Sequence, residues 1–549
     1  MSKMIVLNAK IFTAEPDCPW ASAMVVDQDR IVAIGDARCV DSLLSSDVKI
    51  IDAEGRLILP GFIDNHCHPV AWMYKSETID VFSCAAEEEY QTAILAYANS
   101  NPLLNVVKGA GWFYSDFSGG TPHKSILDEI ISDKPVMIYS GDFHSLWVNS
   151  KALEMVGIDE NTQDPQGGAF GRDKDGNLTG YINEIPAVKV IESRISSFAP
   201  EDYKRGLLTF FSQCGKAGIT SIHDAGLLNE EGILAYQTVK EEEYTCRVFG
   251  SLIIKENCEG TPSEVVDEIR DLKALENRFY HCNTVKLFMD GVPEANTAML
   301  EEAYLNEPEN KGESLWKQGR FDAICEEADQ QGWQIHVHAI GDRAVRMTLD
   351  SFTKAEEKNG KRDSRHMIAH LQLVNDSDVD RMAALGVVAV PTAFWFEKSA
   401  MYYQVELFNL GKERADGEYK MKRLLNAGIL TACGSDSPVG ISAPVTEVPF
   451  APVLAIQQGV TRCNVFQDAD NLENVLNPSE RVSVEDMVRT YTINGAKANF
   501  AEDELGSLKV GKKADFIMLD QNIFEIPVQE IYKTTVLMTV VDGRVVFQA

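Results

Sequence analysis

Nowhere in its 549 residues does this chain hold 18 consecutive apolar residues, and its opening, MSKMIVLNAKIFTAEPD, contains no apolar stretch of leader length. A membrane-spanning helix and a cleaved signal are therefore not expected, and a cytoplasmic location is. Basic charge is scarce: 51 Lys and Arg stand against 83 Asp and Glu, a formal charge of −32 with no Lys/Arg block to offset it. Such a surface repels phosphate backbones and anionic lipid, so no nucleic-acid partner and no membrane surface is expected. The runs Glu87-Glu88-Glu89 and Glu241-Glu242-Glu243 read as solvated helix faces rather than cation sites. Closely spaced cysteines are missing too. The nearest two of the 11, Cys246 and Cys258, are 12 apart, which indicates neither a CxxC knuckle nor a disulfide ladder. Repeats of solenoid length and low-complexity tracts are absent.

Hydrophobic residues make up 45% and charged residues 24% of the chain, ordinary globular proportions. Its length exceeds what one core usually organises. Residues 4 to 60 alternate short strand-like runs with turns (IVLNAKIFT, ASAMVVDQDRIVAIGD, VKIIDAEGRLILP), and LGSLKVGKKADFIMLD and VLMTVVDGRVVF repeat that grammar at residues 505 to 547. A small discontinuous β-sandwich built from both termini, 1–60 and 497–549, is expected, with 61–496 inserted between its halves. The inserted region alternates helical patterns with eight apolar runs: GFIDNHCH from 61, GITSIHDAG from 218, RVFGSLII from 247, TVKLFMDG from 284, WQIHVHAIG from 333, HMIAHLQ from 366, GVVAVPT from 386 and ILTACGSD from 429. This α/β order predicts a parallel sheet with crossover helices, and eight runs fit a (β/α)8 TIM barrel whose chemistry sits at the C-terminal strand ends. An excursion at about 70–215, between the first two runs, is expected to cover the barrel mouth.

His66 and His68 close the first run two residues apart, so on an extended strand both imidazoles face the same way. Convergent neutral imidazoles are good ligands for Zn2+ or a similar cation. Alone, an HxH pair is more often structural. Its weight comes from Lys286, His338, His370 and Asp436, which stand toward the ends of other runs. Four histidines, a lysine and an aspartate would fill an apolar core badly, because each needs a partner once buried, whereas a metal site satisfies all six.

Taken in order, PGFIDNHCHP, VKLFMDG, HVHAIGDRAV, HMIAHLQL, GSDSPV and GSLKVGKKADFIMLD resemble the amidohydrolase superfamily, specifically its YtcJ-like branch, which includes N-substituted formamide deformylases. GWFYSDFSGGTPHKSILDE, FHSLWVNSKAL and MVRTYTINGAKA resemble that branch as well, so the likeness spans essentially the whole chain. It implies an enzyme hydrolysing a non-peptide C–N bond with one or two divalent metal ions, Zn2+ foremost. His66 and His68 would hold one ion and His338 and His370 a second. Asp436 would be both ligand and general base, and a carboxylated Lys286 would bridge the ions. A bare ammonium beside two cations would be repelled, whereas a carbamate is an anionic oxygen ligand. The implied substrate is a small-molecule amide such as an N-substituted formamide. A deaminase of a cyclic or amidine-type substrate is the second reading, and a non-catalytic metal-binding barrel protein is the reading from another class. A homodimer is compatible with all three.

Further candidates are substrate contacts: Trp112, Asp142 and His144 in the excursion and, either as a substrate contact or as a partner supporting the metal ligands, Asp290 at the end of the fourth run, with Glu294 a weaker one. Trp112 is balanced evenly between cavity wall and core. His336, one layer below His338, reads as a satisfied core histidine, and Cys67 points away from the metals by strand alternation. His223 and Asp224 lean to a structural role. Asp342 either orients His338 or caps the helix near Arg343. Relatives carry Gln-Pro followed by His after the seventh strand. Here Val390-Pro391-Thr392-Ala393-Phe394-Trp395-Phe396 stands instead, which predicts missing polar contacts and a hydrophobic substituent on the substrate.

Overall fold

Seven parallel strands form the central sheet: β1 (Phe62–Cys67), β2 (Ile219–Asp224), β3 (Arg247–Ile253), β4 (Tyr280–Phe288), β5 (Gln334–Ala339), β6 (Met367–His370) and β7 (Val388–Val390). Strands adjacent in this series are adjacent in the sheet, β1 through β7 without a crossing. The computed structural model describes residues 3–40, 48–195, 198–226, 230–439 and 447–549. Every residue of β1, β2 and β5 is buried, as in strands packed against helices on one side and against their own barrel core on the other. The helix Pro200–Ala217 shows how the cover is made. It opens with Pro200 and the acidic Glu201 and Asp202, buries Leu207, Phe210, Phe211 and Cys214 along one stripe, and stops at Gly218, whose φ of +76° suits a residue without Cβ.

The eighth expected run, 429–436, is not a regular strand, yet it closes the barrel. Toward β7, Ala432 N donates to Ala389 O (2.9 Å) and Gly434 N to Pro391 O (3.3 Å). Toward β1, Asn65 N donates to Cys433 O (3.1 Å), Asp436 N to His66 O (2.7 Å) and His68 N to Ser437 O (2.8 Å). A regular ladder is precluded because Asp436 has φ +60°, which turns the chain out of extended geometry just where its carboxylate is needed.

The excursion folds into a mixed six-stranded sheet of its own, in the order 169–172, 178–183, 146–148, 136–140, 107–112, 79–80. At the termini, a four-stranded sheet (30–35, 23–27, 4–7, 49–52) and a six-stranded sheet (544–548, 536–541, 516–519, 57–60, 10–12, 20–21) share a core that includes Val6, Ile11, Met24, Ile58, Phe516 and Val540. Strands from both ends of the sequence meet in the second sheet, where 57–60 pairs antiparallel with 516–519. Arg247 on β3 fastens this layer to the barrel. Its buried guanidinium binds Asp515 and Asp542 from the C-terminal strands and their turn, and the pairing compensates the desolvation of all three groups. Among the described residues no helix is long and apolar enough to cross a membrane.

Candidate metal centre

The C-terminal ends of β1, β5 and β6, the buried lysine of β4 and the turn after the eighth run deliver six side chains to one place. Ligand atoms of His66, His370 and Asp436 all lie within 4.8 Å of one another. Asp436 Oδ1 is 3.2 Å from His66 Nε2 and 3.1 Å from His68 Nε2, and Lys286 Nζ is 3.4 Å from His66 Nε2. His338 joins through its ring, 4.6 Å from that of His370, while its Nε2 lies 3.4 Å from the Gly291 carbonyl. All six are at least nine-tenths buried, and Lys286 is fully so.

These donors fit a divalent cation. Among the described residues Asp436 Oδ1 and His68 Nδ1 are buried without a hydrogen-bond partner, a costly state for polar atoms that a cation would relieve for the carboxylate. Burial pushes His370 down to about 3 and holds His66 and His338 well below the ordinary imidazole value, so all three are neutral, as metal ligation requires. Burial likewise lowers Lys286 to about 7, against the opposing pull of Asp436 and Asp224.

The imidazoles are held from behind. His66 Nδ1 lies 3.0 Å from His336 Nε2, His336 Nδ1 is 3.3 Å from His223 Nε2, and His223 reaches Ser251 Oγ (2.7 Å) and Asn499 Oδ1 (2.6 Å). Such a chain fixes ring orientation and tautomer. It also has a pH consequence. Burial lowers His223 to about 4, below the value near 6.5 of an unfolded histidine, so above pH 6.5 no penalty is felt. As pH falls from 6.5 to about 4 the unfolded state takes the extra proton and stability declines, by about 3 kcal/mol for this group alone. His223→Gln is expected to flatten that part of the acid limb in urea melts between pH 7 and 4; an unchanged limb would remove His223 as its cause.

Above these six side chains lies a cavity of about 480 Å3, lined among others by His68, His338, His370 and Asp436 and by the aromatic rings of Phe82, Phe113, Phe143, Phe288, Phe394 and Trp395. Asp142 and His144 line it as anticipated. His144 Nδ1 is 2.9 Å from Glu184 Oε2, and although burial opposes it, the Glu184 carboxylate raises this histidine to about 9. Glu184 escaped the sequence reading, since YINEIPA carries no signal of it. The residue adopts φ +65°, a conformation rare outside glycine, and its other oxygen accepts from Thr297 Oγ1.

Two anticipated contacts fall elsewhere. Trp112 is fully buried in the excursion's own core, donates Nε1–H to Ile138 O (2.9 Å), and is not in the cavity wall. Asp290 does not line the cavity either. Its carboxylate accepts backbone N–H from Met299 (2.8 Å), Ile340 (3.1 Å) and Gly341 (2.9 Å) and so shapes the loops around His338. Asp342 is the first residue of the helix Asp342–Asn359, whose N-cap is Gly341; its carboxylate accepts from Glu301 N, Arg343 N and Asn375 Nδ2, and among the described residues it makes no hydrogen bond or ion pair with His338. The expectation of missing polar contacts after the seventh strand is corrected by Thr392, whose Oγ1 lies 3.2 Å from His370 Nδ1, while Trp395 stacks on the same ring at 5.3 Å and 13°. Cys67 points out of the site, its Sγ 3.5 Å from His223 O.

A closed parallel barrel with imidazoles, a lysine and an aspartate gathered at its C-terminal mouth defines a metal-dependent barrel hydrolase. The chain belongs to the amidohydrolase family, whose profile matches residues 49–547, and is a hydrolase of C–N bonds. It is similar to Protein LONG AFTER FAR-RED 3 of Arabidopsis thaliana (27% identity, 99% of this chain and 91% of that one). Putative amidohydrolase YtcJ of Bacillus subtilis is 26% identical over 98% of each chain. An N-substituted formamide deformylase of Arthrobacter pascens is 23% identical over 99% of this chain and 98% of its own. Among solved structures, a metal-dependent hydrolase from Pyrococcus furiosus superposes with a TM-score of 0.70 at 26% identity, covering 95% of this chain and all of that one.

Proposed function

We propose that this hydrolase cleaves small amides bearing an apolar substituent, N-substituted formamides foremost, to amine and carboxylic acid. The observation that carries this reading is the orphaned Asp436 Oδ1, poised against His66 and His68 at the edge of an aromatic-walled cavity. The printed activity of the Arthrobacter relative agrees with it. Among the described residues no Lys or Arg lines the cavity, and the His144 imidazole there is already paired with Glu184, which disfavours substrates with a carboxylate tail.

His66, His68, His338, His370, Asp436 and Lys286 would hold one or two ions, with Lys286 carboxylated so that it offers anionic oxygens in place of an amine. A divalent cation, Zn2+ by its match to imidazole and carboxylate donors, supplies Lewis acidity and makes water acidic near neutral pH when bound. The chain's own residues do the rest. Asp436 takes the proton of the attacking water and passes it to the departing nitrogen, so the C–N bond breaks with the amine leaving neutral. The aromatic walls exclude bulk water and seat the substituent, and His144, fixed by Glu184, contacts the amide from the side of His338.

Purified protein loaded with Zn2+ is expected to release amine from N-phenethylformamide, with kcat/KM on the order of 100-fold above that for N-formylphenylalanine, whose carboxylate meets an acidic wall. Chelation should abolish turnover and added Zn2+ restore it, and native mass spectrometry should find the mass of one added CO2 on the chain. Absence of amine release from every formamide tried with the metal-loaded enzyme would refute the reading.

A further inference from the structure

Two buried glutamates, Glu406 and Glu418, and the half-buried Glu294 gather at the part of the cavity formed by the loop after β4 and the helical turns near residue 406, and among the described residues no lysine or arginine side chain forms an ion pair with them. Glu294, on the turn Pro293–Ala295, lines the cavity, its carboxyl set against its own backbone N–H. Glu406 closes the π-helical turn Tyr402–Glu406, is 8% exposed and lines the cavity too. Its Oε1 accepts one long bond, 3.3 Å, from Gln372 Nε2, and its Oε2 accepts none from any N–H donor among the described residues. The same Gln372 amide donates to Glu418 Oε1 at 3.0 Å, Glu418 Oε2 accepts from no N–H donor among the described residues, and the Glu418 carboxyl, when protonated, hydrogen-bonds that of Glu406. The two segments are tied together, since Asn409 Nδ2 donates to Pro293 O at 2.9 Å, and both Glu294 and Glu406 line the cavity, where the one carboxyl feels the charge of the other.

The cations nearby form no ion pair with these carboxyls among the described residues. Arg462 gives Nη2 to the Glu418 backbone carbonyl (3.0 Å) and Nε to Leu476 O (3.1 Å), keeps Nη1 without a hydrogen bond among the described residues, lies over the Phe396 ring, does not line the cavity and acts on the Glu418 carboxyl through its charge alone. Lys398 turns to Glu473 O (3.1 Å) and Asp416 (3.5 Å), and His144 is held by Glu184. Carboxyls gathered at a buried wall, with Arg462 and His144 acting on them without forming ion pairs among the described residues, repel one another when ionised, and burial raises Glu294 to about 7 and Glu406 to about 8. A cation arriving with the ligand offsets that repulsion, and the aromatic faces of the same cavity attract a cation as well.

We propose that the substituent of the natural amide carries a primary ammonium group that binds between Glu294 and Glu406, with Gln372 and Glu418 behind Glu406. This assignment rests on the amide-hydrolase reading and narrows its substrate class to formamide-type amides of diamines: an apolar or aromatic spacer fills the middle of the cavity while the scissile amide faces Asp436.

Two probes of equal shape separate charge from fit: N-[4-(aminomethyl)benzyl]formamide, an ammonium at neutral pH, and N-(4-ethylbenzyl)formamide, its neutral counterpart. With Zn2+-loaded enzyme, kcat/KM is expected to be about 30-fold higher for the ammonium probe, with the difference mostly in KM, as suits one charge-assisted buried contact. Glu294→Gln and Glu406→Gln should each shrink the ratio between probes at least about threefold, and the double variant should bring it close to one. Metal content and melting temperature of each variant, read in parallel, distinguish a lost contact from a lost fold. If the variants unfold, the parent ratio alone decides. Equal turnover of the two probes, or preference for the ethyl compound, overturns the ammonium site and leaves the hydrolase reading standing. Failure to cleave either probe or any other formamide overturns both.

Discussion

Asp436→Asn is expected to lower kcat for the formamide substrate by about 10^3- to 10^4-fold. The aspartate stands where two roles meet. Its Oδ1 faces both imidazoles of the first strand at 3.1–3.2 Å, and the residue is 3% exposed, so its charge is little screened by water. Asparagine keeps the shape but cannot accept and return a proton at neutral pH, and its amide N–H groups would face neutral imidazole nitrogens or a cation. Measuring metal by mass spectrometry on the same preparation separates the roles. A variant that keeps its metal and loses turnover identifies Asp436 chiefly as the base, whereas one that loses both is missing a ligand. A metal-replete Asp436→Asn enzyme retaining more than a tenth of parent kcat would remove Asp436 from the proton path.

The parallel barrel was legible because each of seven apolar runs ends in the strand that its pattern predicts, and because chemistry-bearing side chains cluster at their C-terminal ends. The eighth run was read correctly as the closing segment and wrongly as a strand. Apolar pattern reports burial, whereas the single-rung pairing of 430–437 follows from the crowding of Gly434 on β1 and the turn at Asp436, which no local pattern reveals. Trp112 and Asp290 show the same limit from another side. Trp112 sits in a stretch resembling a substrate-covering segment and Asp290 at the end of the fourth run, but whether a side chain at such a place faces the cavity or the interior depends on a neighbouring strand or loop far away in sequence. Glu184, Glu406 and Glu418 were invisible for a related reason. In a chain with 83 acidic residues a single glutamate carries no signal until folding removes its water.

Gly434→Ala is expected to cost both the fold and the metal. An ideal Cβ on Gly434 would stand 2.5 Å from His66 N, 2.5 Å from His66 Cβ and 2.8 Å from His66 Cα, contacts with backbone rather than with the flexible end of a side chain. Relief requires the eighth segment to move away from β1, which stretches the bonds Asn65 N to Cys433 O and Asp436 N to His66 O and the pair of bonds that Asp64 Oδ1 accepts from His66 N and Ser435 N. Overpacking of this kind typically costs about 1–3 kcal/mol, and the upper end is expected here because the barrel seam is stiff. The same displacement carries Asp436 off the imidazoles, so zinc affinity should fall at least about tenfold even in molecules that remain folded. Urea melts and a zinc competition titration with a fluorescent chelator read the two effects independently. Parent-like zinc affinity in a folded Gly434→Ala protein would mean that the position of Asp436 is set by something other than the close approach of this glycine to β1.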